Sequence, residues 1–586
     1  MKRLFLLATA FGLLPLSPAL AGDNAVTSQP DAVPAQLDAD QRTGYRIVFD
    51  AIRAKKWVDA RLQLTTMKPG PLHSIAMAEL LVAPGSPKAM AEELAKILAE
   101  APELPQAEQL ARLAKARGAT DLPALPYTQA LSWTGGAPIR ARAKSLKSDQ
   151  IAAELAIKMQ PFIKEDRGAE AQALLENTPG LTLEALTEWQ QKIAWIYFVA
   201  GDDANARTMA AKARQGSGEW AIQGDWVTGL AAWRQRDCGA AGDAFANVAS
   251  RSTDVELRAA GLYWASRADL ACGRPDRIES RLKSAAQFDE TFYGLLARQT
   301  LGIRTPVTRA ADARNAADWQ VLGRRPNLRV AAALVEIGED MLADEVLKRQ
   351  ARIGSVGEYA ALVRVAGALN LAATQIWLSH NTPAGAAPSV AARYPAPNWT
   401  PDGGWRVDKA LVYAHTLQES KFRTDVVSAA GAYGLMQVRP GAASDMSRNR
   451  GVRADRVALT RPSTNIEIGQ SYIEWLRDQP ATGGLLPKVI AAYNAGPTPV
   501  EAWNSIVRDN GDPLLYIESI PYWETRGYVV TVLRNYWVYE REGGKTVSPS
   551  RAALSQGLWP RFPGLPGPTG IRITAGSKPM MTASAN

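Results

Sequence analysis

From about residue 40 to residue 300 the apolar positions recur at helical spacing, three and four residues apart. The positions between them are largely Ala, Glu, Arg and Lys, which are strong helix formers, and β-branched runs are scarce. Three short breaks punctuate the pattern: Ala200-Gly201-Asp202, Cys238-Gly239-Ala240 and Cys272-Gly273-Arg274. Each follows a stretch containing aromatic residues: Trp195-Ile196-Tyr197, Trp226 to Trp233, and Tyr263-Trp264. The breaks are 38 and 34 residues apart, and the second interval is a usual helix-turn-helix repeat length. One such hairpin cannot bury its apolar face alone, so the pattern predicts hairpins stacked into an α-superhelix. An irregular helical bundle is the competing arrangement.

Beyond residue 306 the helical pattern continues to about residue 378 without the repeat. Thr382 to Gly404 then gathers Pro383, Pro388, Pro395, Pro397, Pro401, Gly403 and Gly404, a linker signal. Trp405 to about Glu542 is again mostly helical and is rich in Trp and Tyr. After Gly543 the composition turns to Pro, Gly, Ser and Thr, which predicts a disordered or loosely draped tail. At the other end Lys2 and Arg3 precede an apolar run, Leu4 to Leu16, and then Ala19-Leu20-Ala21. That is the layout of a cleaved export signal with the mature chain starting at Gly22. The divisions are thus a signal peptide at 1–21, a superhelical domain at 22–305, a helical linker domain at 306–400, a compact helical domain at 401–545 and a tail at 546–586.

The 586 residues are 46% hydrophobic and 21% charged, which fits ordinary globular protein of several domains. No stretch after the N-terminus is apolar for long enough to span a bilayer. Losing Lys2 and Arg3 with the signal lowers the formal charge from +9 to +7, since residues 1–21 hold no acid. The mature chain therefore suits an anionic partner. Nucleic acid would satisfy that charge, but export argues against it. Three histidines (His73, His380, His415) and two cysteines make a zinc or haem enzyme a poor fit. Cys238 and Cys272 would sit along one edge of the stack if both end equivalent helices. They are either a disulfide, which export permits, or two buried thiols.

The chemistry concentrates after residue 405. Asp408 to Ser420 reads as a helix with Val407, Leu411, Ala414 and Gln418 on one, mainly apolar, face. Glu419 lies near its C-terminal end, where the helix dipole disfavours an anion. In a cleft walled by nonpolar groups, desolvation adds to that effect and keeps a carboxyl group protonated toward neutral pH. Such a group can donate a proton to a leaving oxygen. Taken alone, a glutamate in a last turn is an ordinary surface residue. The segments downstream of Glu419 change that balance. Ser428 to Gln437 is a turn punctuated by Gly431 and Gly434, and Ala491 to Pro497 is a helix end with Gly496 as its stop. Glu518 to Val529 opens another helix. His415, one turn before Glu419, invites a dyad reading, but no serine or cysteine nucleophile motif accompanies it, so it reads as a packed or hydrogen-bonded histidine.

Four segments in this order resemble the soluble lytic transglycosylases of the bacterial cell wall: Gln418-Glu419-Ser420, Gly434-Leu435-Met436-Gln437, Ala492-Tyr493-Asn494-Ala495-Gly496 and Ile520-Pro521-Tyr522-Trp523-Glu524-Thr525-Arg526. Thr291 to Ala297 is also similar to the end of that family's helical ring. The resemblance implies a mainly α fold, a doughnut-like superhelix carrying a lysozyme-like domain at 401–545. It implies that Glu419 is the single catalytic acid and base, that Ser428 positions that carboxylate and the N-acetyl sugar, and that Gln437, with Gly434 and Met436 of its motif, lines the cleft. Tyr493 would hydrogen-bond near the acid, with Asn494 supporting the turn. Glu524 would bind substrate or hold the domain together. Arg439 stands where the family commonly has an apolar residue; it is either a cation for a lactyl or stem-peptide carboxylate or a solvated side chain. Of the tryptophans, Trp475, Trp503, Trp523 and Trp537 are candidates to stack on pyranose rings.

The implied reaction splits the β-1,4 bond between MurNAc and GlcNAc of peptidoglycan without water and leaves a 1,6-anhydroMurNAc end. It needs no metal or cofactor. The alternative is a lysozyme-type muramidase hydrolysing the same bond, which would use a second carboxylate; Asp425 is the nearest other acid in sequence. The implied place is the periplasm, with peptidoglycan strands as partner.

Overall fold

The computed structural model describes residues 33–146, 148–304, 316–450 and 455–574. The signal at 1–21 lies outside the described residues. Helices dominate. Among the described residues the strands form two small antiparallel pairs, Leu131–Trp133 with Asn381–Pro383 and Trp559–Pro560 with Gly570–Ile571.

Three hairpins stack in the middle of the chain: Leu183–Ala200 with Asp203–Arg214, Gly218–Arg234 with Cys238–Arg251, and Val255–Ala271 with Pro275–Ala286. Each turn reverses the chain through one left-handed residue, Gly201 (φ 82°), Arg236 (φ 63°) and Gly273 (φ 66°). Asp202 and Asp237 then cap the next helix by accepting from a backbone N–H three residues on. These turn residues recur at 35 and 37 residues, not at the 38 and 34 read from the three glycine-containing breaks. The difference matters for the cysteines. Cys238 opens its helix whereas Cys272 ends the following one, so they occupy non-equivalent positions at the open end of one antiparallel helix pair. Their Cα atoms are 5.6 Å apart and a disulfide joins them. The bond closes a loop of 34 residues, for which chain entropy gives about 3–4 kcal/mol. Reduction is expected to lower the unfolding free energy of the superhelix by that amount, read as a lower urea midpoint than that of the oxidised protein.

The hydrophobic core is shared out differently from the chain order. Tyr45, Phe49, Leu94 and Leu98 from the N-terminal helices bury against Leu328, Leu334, Val346 and Leu362. Arg42 reaches Glu336 at 2.9 Å across the same contact. The helices before residue 117 therefore pair with those after residue 316, rather than with the hairpin stack that comes next in the chain. The stack itself shares one core with the C-terminal helices, and Phe292 lies flat on Trp537 with ring centroids 4.9 Å apart. An extended strap at 119–146 runs between the two cores. Its Gln129 N–H donates to the Arg352 carbonyl at 2.8 Å, and Arg140 pairs with Glu518 at 2.7 Å.

The described part of the tail, up to residue 574, departs from the sequence expectation, and 575–586 lies outside the described residues. Pro549–Ser555 is a helix, and Leu554, Trp559 and Phe562 are buried on the C-terminal domain. The Phe562 N–H donates to the Gly484 carbonyl at 2.8 Å. Composition predicted a loose tail because Pro and Gly dilute it; three large apolar anchors are enough to seat it.

Candidate active site

Glu419 lies in the last turn of the helix Lys409–Ser420, which Asp408 caps by accepting from the Ala410 N–H at 2.9 Å. Leu411, Val412 and Ala414 bury the inner face. The helix stops abruptly at two successive left-handed residues that are not glycine, Lys421 (φ 53°) and Phe422 (φ 62°). Such a pair costs energy and needs its surroundings to hold it. Phe422 supplies that hold, buried against Tyr413 with centroids 5.4 Å apart. The Glu419 side chain is half-buried, and its Oε1 accepts from the Tyr528 hydroxyl at 2.6 Å. Burial pushes its pKa up to about 7; the Glu524 carboxylate adds to the rise and the Tyr528 hydrogen bond opposes it. A carboxylic acid that holds its proton to near neutrality can give it to a leaving oxygen and take one back.

The loop after Glu419 is built on itself. Ser428 N–H donates to the Ala432 carbonyl at 2.9 Å, while its Oγ accepts from the Ala432 N–H at 3.0 Å. Gly434 takes φ 69°, and a Cβ there would meet Asn465 Nδ2 at 2.4 Å and the Leu459 carbonyl at 2.5 Å, so only glycine fits. Asn465 is fully buried and serves as the peg: it accepts from the Met436 N–H and donates to the carbonyls of Tyr433 and Leu459. Gln437 (φ 47°) spends its amide hydrogens on the Val426 and Gly434 carbonyls. Gly434, Met436 and Gln437, expected to line the cleft, thus act first as supports. The Met436 side chain is fully buried against Gly469, because a short turn between glycines must be pinned from beneath.

Tyr493 bonds to the loop that follows Glu419 and not to the carboxyl itself. Its hydroxyl donates to the Met436 carbonyl at 2.8 Å, and its ring packs on His415, centroids 4.5 Å apart. The tyrosine that touches Glu419 is Tyr528, which no motif singles out. Its only signal in the sequence is its place two residues after Arg526, in the same run as Glu524. Asn494 Oδ1 accepts from Thr525 Oγ1 at 2.6 Å, tying the helix Leu486–Ala495 to the start of Trp523–Glu542 beside the exposed Glu524. Asp425 is exposed and makes no hydrogen bond to Glu419. Trp503 and Trp537 are core, and Trp523 flanks the Arg526 guanidinium at 5.2 Å. Trp475 is 38% exposed and stacks on Tyr472, whose ring meets Tyr493 edge-on at 5.5 Å. Arg439 is exposed, and its charge acts on the Tyr472 hydroxyl.

Residues 401–515 match the transglycosylase SLT domain family. This stretch is a transglycosylase SLT domain. The resemblance is therefore borne out, with three of its four motifs inside the match: the SLT domain contains Glu419, the Ser428–Gln437 loop and Tyr493, while the Ile520–Arg526 motif and Tyr528 lie just past it. The soluble lytic murein transglycosylase of Salmonella typhimurium is 34% identical over 160 residues, covering 27% of this chain and 24% of that protein. The Escherichia coli K12 protein of the same name is 36% identical over 132 residues, covering 22% and 20%. The chain thus matches about a quarter or less of the length of these relatives. Among solved structures, the 70 kDa soluble lytic transglycosylase of Escherichia coli superposes with a TM-score of 0.54 at 18% identity, over 89% of this chain and 99% of that one. An inactive mutant of lytic transglycosylase Slt from Pseudomonas aeruginosa gives 0.51 at 19% identity, over 86% and 87%. The fold is mainly α, a superhelix carrying a lysozyme-like SLT domain.

Proposed function

We propose that this protein is a peptidoglycan lytic transglycosylase that opens the MurNAc–GlcNAc bond and leaves 1,6-anhydroMurNAc. The observation that carries the reading is the half-buried carboxyl of Glu419 within the SLT domain, held by the Tyr528 hydroxyl at 2.6 Å, with burial pushing its pKa up to about 7. The names of the relatives support it. In the reaction Glu419 gives its proton to the glycosidic oxygen, and the bond from that oxygen to C1 breaks. The sugar's acetamido group steadies the cation that develops. The MurNAc C6 hydroxyl then closes on C1 while its proton passes to the ionised Glu419. The nucleophile already sits on the ring, so proximity supplies much of the rate. No water is consumed.

In this reading Ser428 and Tyr493 border the bound sugar, and Asn494 and Glu524 contribute from the two helix ends. Trp475 on Tyr472 offers a pyranose platform, and Arg439 offers a cation for a lactyl or stem-peptide carboxylate. The place of action is the periplasm, after export, against the cell wall. Among the described residues no helix is long and apolar enough to cross a membrane.

Digestion of purified peptidoglycan in H₂¹⁸O tests the reading. Muropeptides should end in 1,6-anhydroMurNAc, with no ¹⁸O at C1. Labelled reducing ends would replace it with a muramidase, and Glu524 or Asp425 would then be the base to test.

A further inference from the structure

His415 is fully buried in the helix that carries Glu419, one turn earlier. Burial alone drives its pKa down to about 3, so the ring is neutral. A neutral imidazole has one N–H and one bare nitrogen. Nδ1 lies 2.9 Å from the Tyr528 hydroxyl oxygen, and Nε2 has no hydrogen-bond partner. The same hydroxyl is 2.6 Å from Glu419 Oε1. Tyr528 therefore has two neighbours and one hydrogen.

The tautomer of His415 decides where that hydrogen goes. With the ring proton on Nε2, a buried N–H would lack an acceptor, and Tyr528 could turn its hydrogen toward Nδ1 and away from Glu419. A buried donor without a partner is costly. With the proton on Nδ1, only a bare lone pair is left over, and Nδ1–H donates to the tyrosine oxygen. We infer that His415 is a positioning residue, held as the Nδ1–H tautomer, which donates to Tyr528 and so commits the tyrosine's only hydrogen to Glu419. Consecutive hydrogen bonds in a row strengthen one another. The chain from His415 through Tyr528 thus favours the Glu419 carboxylate, the form needed once the proton has been delivered. This rests on the proposed acid–base role of Glu419.

The other groups around the chain leave this arrangement intact. The Tyr493 hydroxyl is engaged with the Met436 carbonyl, and Tyr472 acts on it from behind. Glu524, on the helix of Tyr528, raises Glu419. No described residue of the loop 421–438 hydrogen-bonds to His415 or to the Glu419 carboxylate.

Two spectroscopic measurements test it without turnover. The first uses the wild-type protein labelled with ¹⁵N-histidine. Only His73, His380 and His415 contribute, and His415→Asn assigns the signal. Nδ1 should show the shift of a protonated nitrogen and Nε2 that of a bare one; the reverse overturns the proposal. The second follows the infrared carbonyl band of protonated Glu419, identified by its loss in Glu419→Gln. The wild-type midpoint should fall near pH 7. His415→Leu should raise it by about half a pH unit, since a weakened donor favours the protonated form. His415→Asn, with an amide N–H near the Nδ1 position, should bring it back. A folded His415→Leu protein with an unmoved midpoint overturns the proposal, and if that variant does not fold, the nitrogen shifts of the wild type decide. If the midpoints behave as described but no anhydro product forms, the inference stands and the proposed function fails.

Discussion

Glu419→Gln is expected to abolish cleavage and leave the fold intact. The amide keeps the shape of the carboxyl, and its oxygen can still accept from Tyr528, now 2.6 Å from Glu419 Oε1. It has no acidic proton to give and cannot take one back. A positioned proton-transfer group is worth about 10²–10⁴-fold in rate, and here one residue would serve both halves of the reaction. Release of muropeptides should fall to background while the circular dichroism spectrum and thermal midpoint hold. Appreciable turnover by the folded variant would remove Glu419 from the mechanism. The wild-type pH profile should agree: the reaction starts from protonated Glu419, so the rate should fall as pH rises through about 7, not through the ordinary carboxylate range.

Glu518→Ala should be the most damaging single change to stability at the seam between the superhelix and the SLT domain. The Glu518 side chain is fully buried; it accepts from Arg140 at 2.7 and 3.0 Å and from the Tyr293 hydroxyl at 2.7 Å. Those partners come from the strap and the superhelix, so one carboxylate ties three parts of the chain. Without it Arg140 is a buried cation that has lost its paired carboxylate and keeps only the unbonded attraction of Glu256; breaking a buried pair typically costs about 3–5 kcal/mol. Urea unfolding should show a loss of that size. Removal of the exposed Lys283–Glu279 pair should change little, because such pairs contribute almost nothing measurable. A Glu518→Ala loss below about 1 kcal/mol would show that water reaches Arg140 and relieves it.

The helical class, the hairpin stack and Glu419 were legible because each is local. Helical periodicity, a turn or a four-residue motif can be seen in a short window. The pairing of residues 37–114 with 322–378 was not, since nothing in an amphipathic face names its partner. The cysteine register is hidden in the sequence because Cys-Gly recurs there, while the chain turns on whichever residue takes the left-handed conformation; at the middle turn that is Arg236. Tyr528 sits in a helix that the pattern does predict, yet its task stays hidden, because a hydrogen bond spanning 109 positions leaves no trace in spacing. Asn465 was equally silent, although the loop beside Glu419 hangs on it.

The split cores bear on how the chain is made. Synthesised from its N-terminus, it produces the helices from Ala39 to Ala116 long before Leu328 and Leu362 exist to cover them. Closing so long a loop costs entropy that local contacts cannot offset at once. For that interval apolar faces meant for burial stand open to any other unfinished chain, a known route to aggregation. The strap and the hairpin stack must at least have been synthesised before the two ends can meet. Assembly of this protein is therefore a problem of timing, and a holding chaperone that shields the first hundred residues would raise the yield of native protein without touching the finished fold.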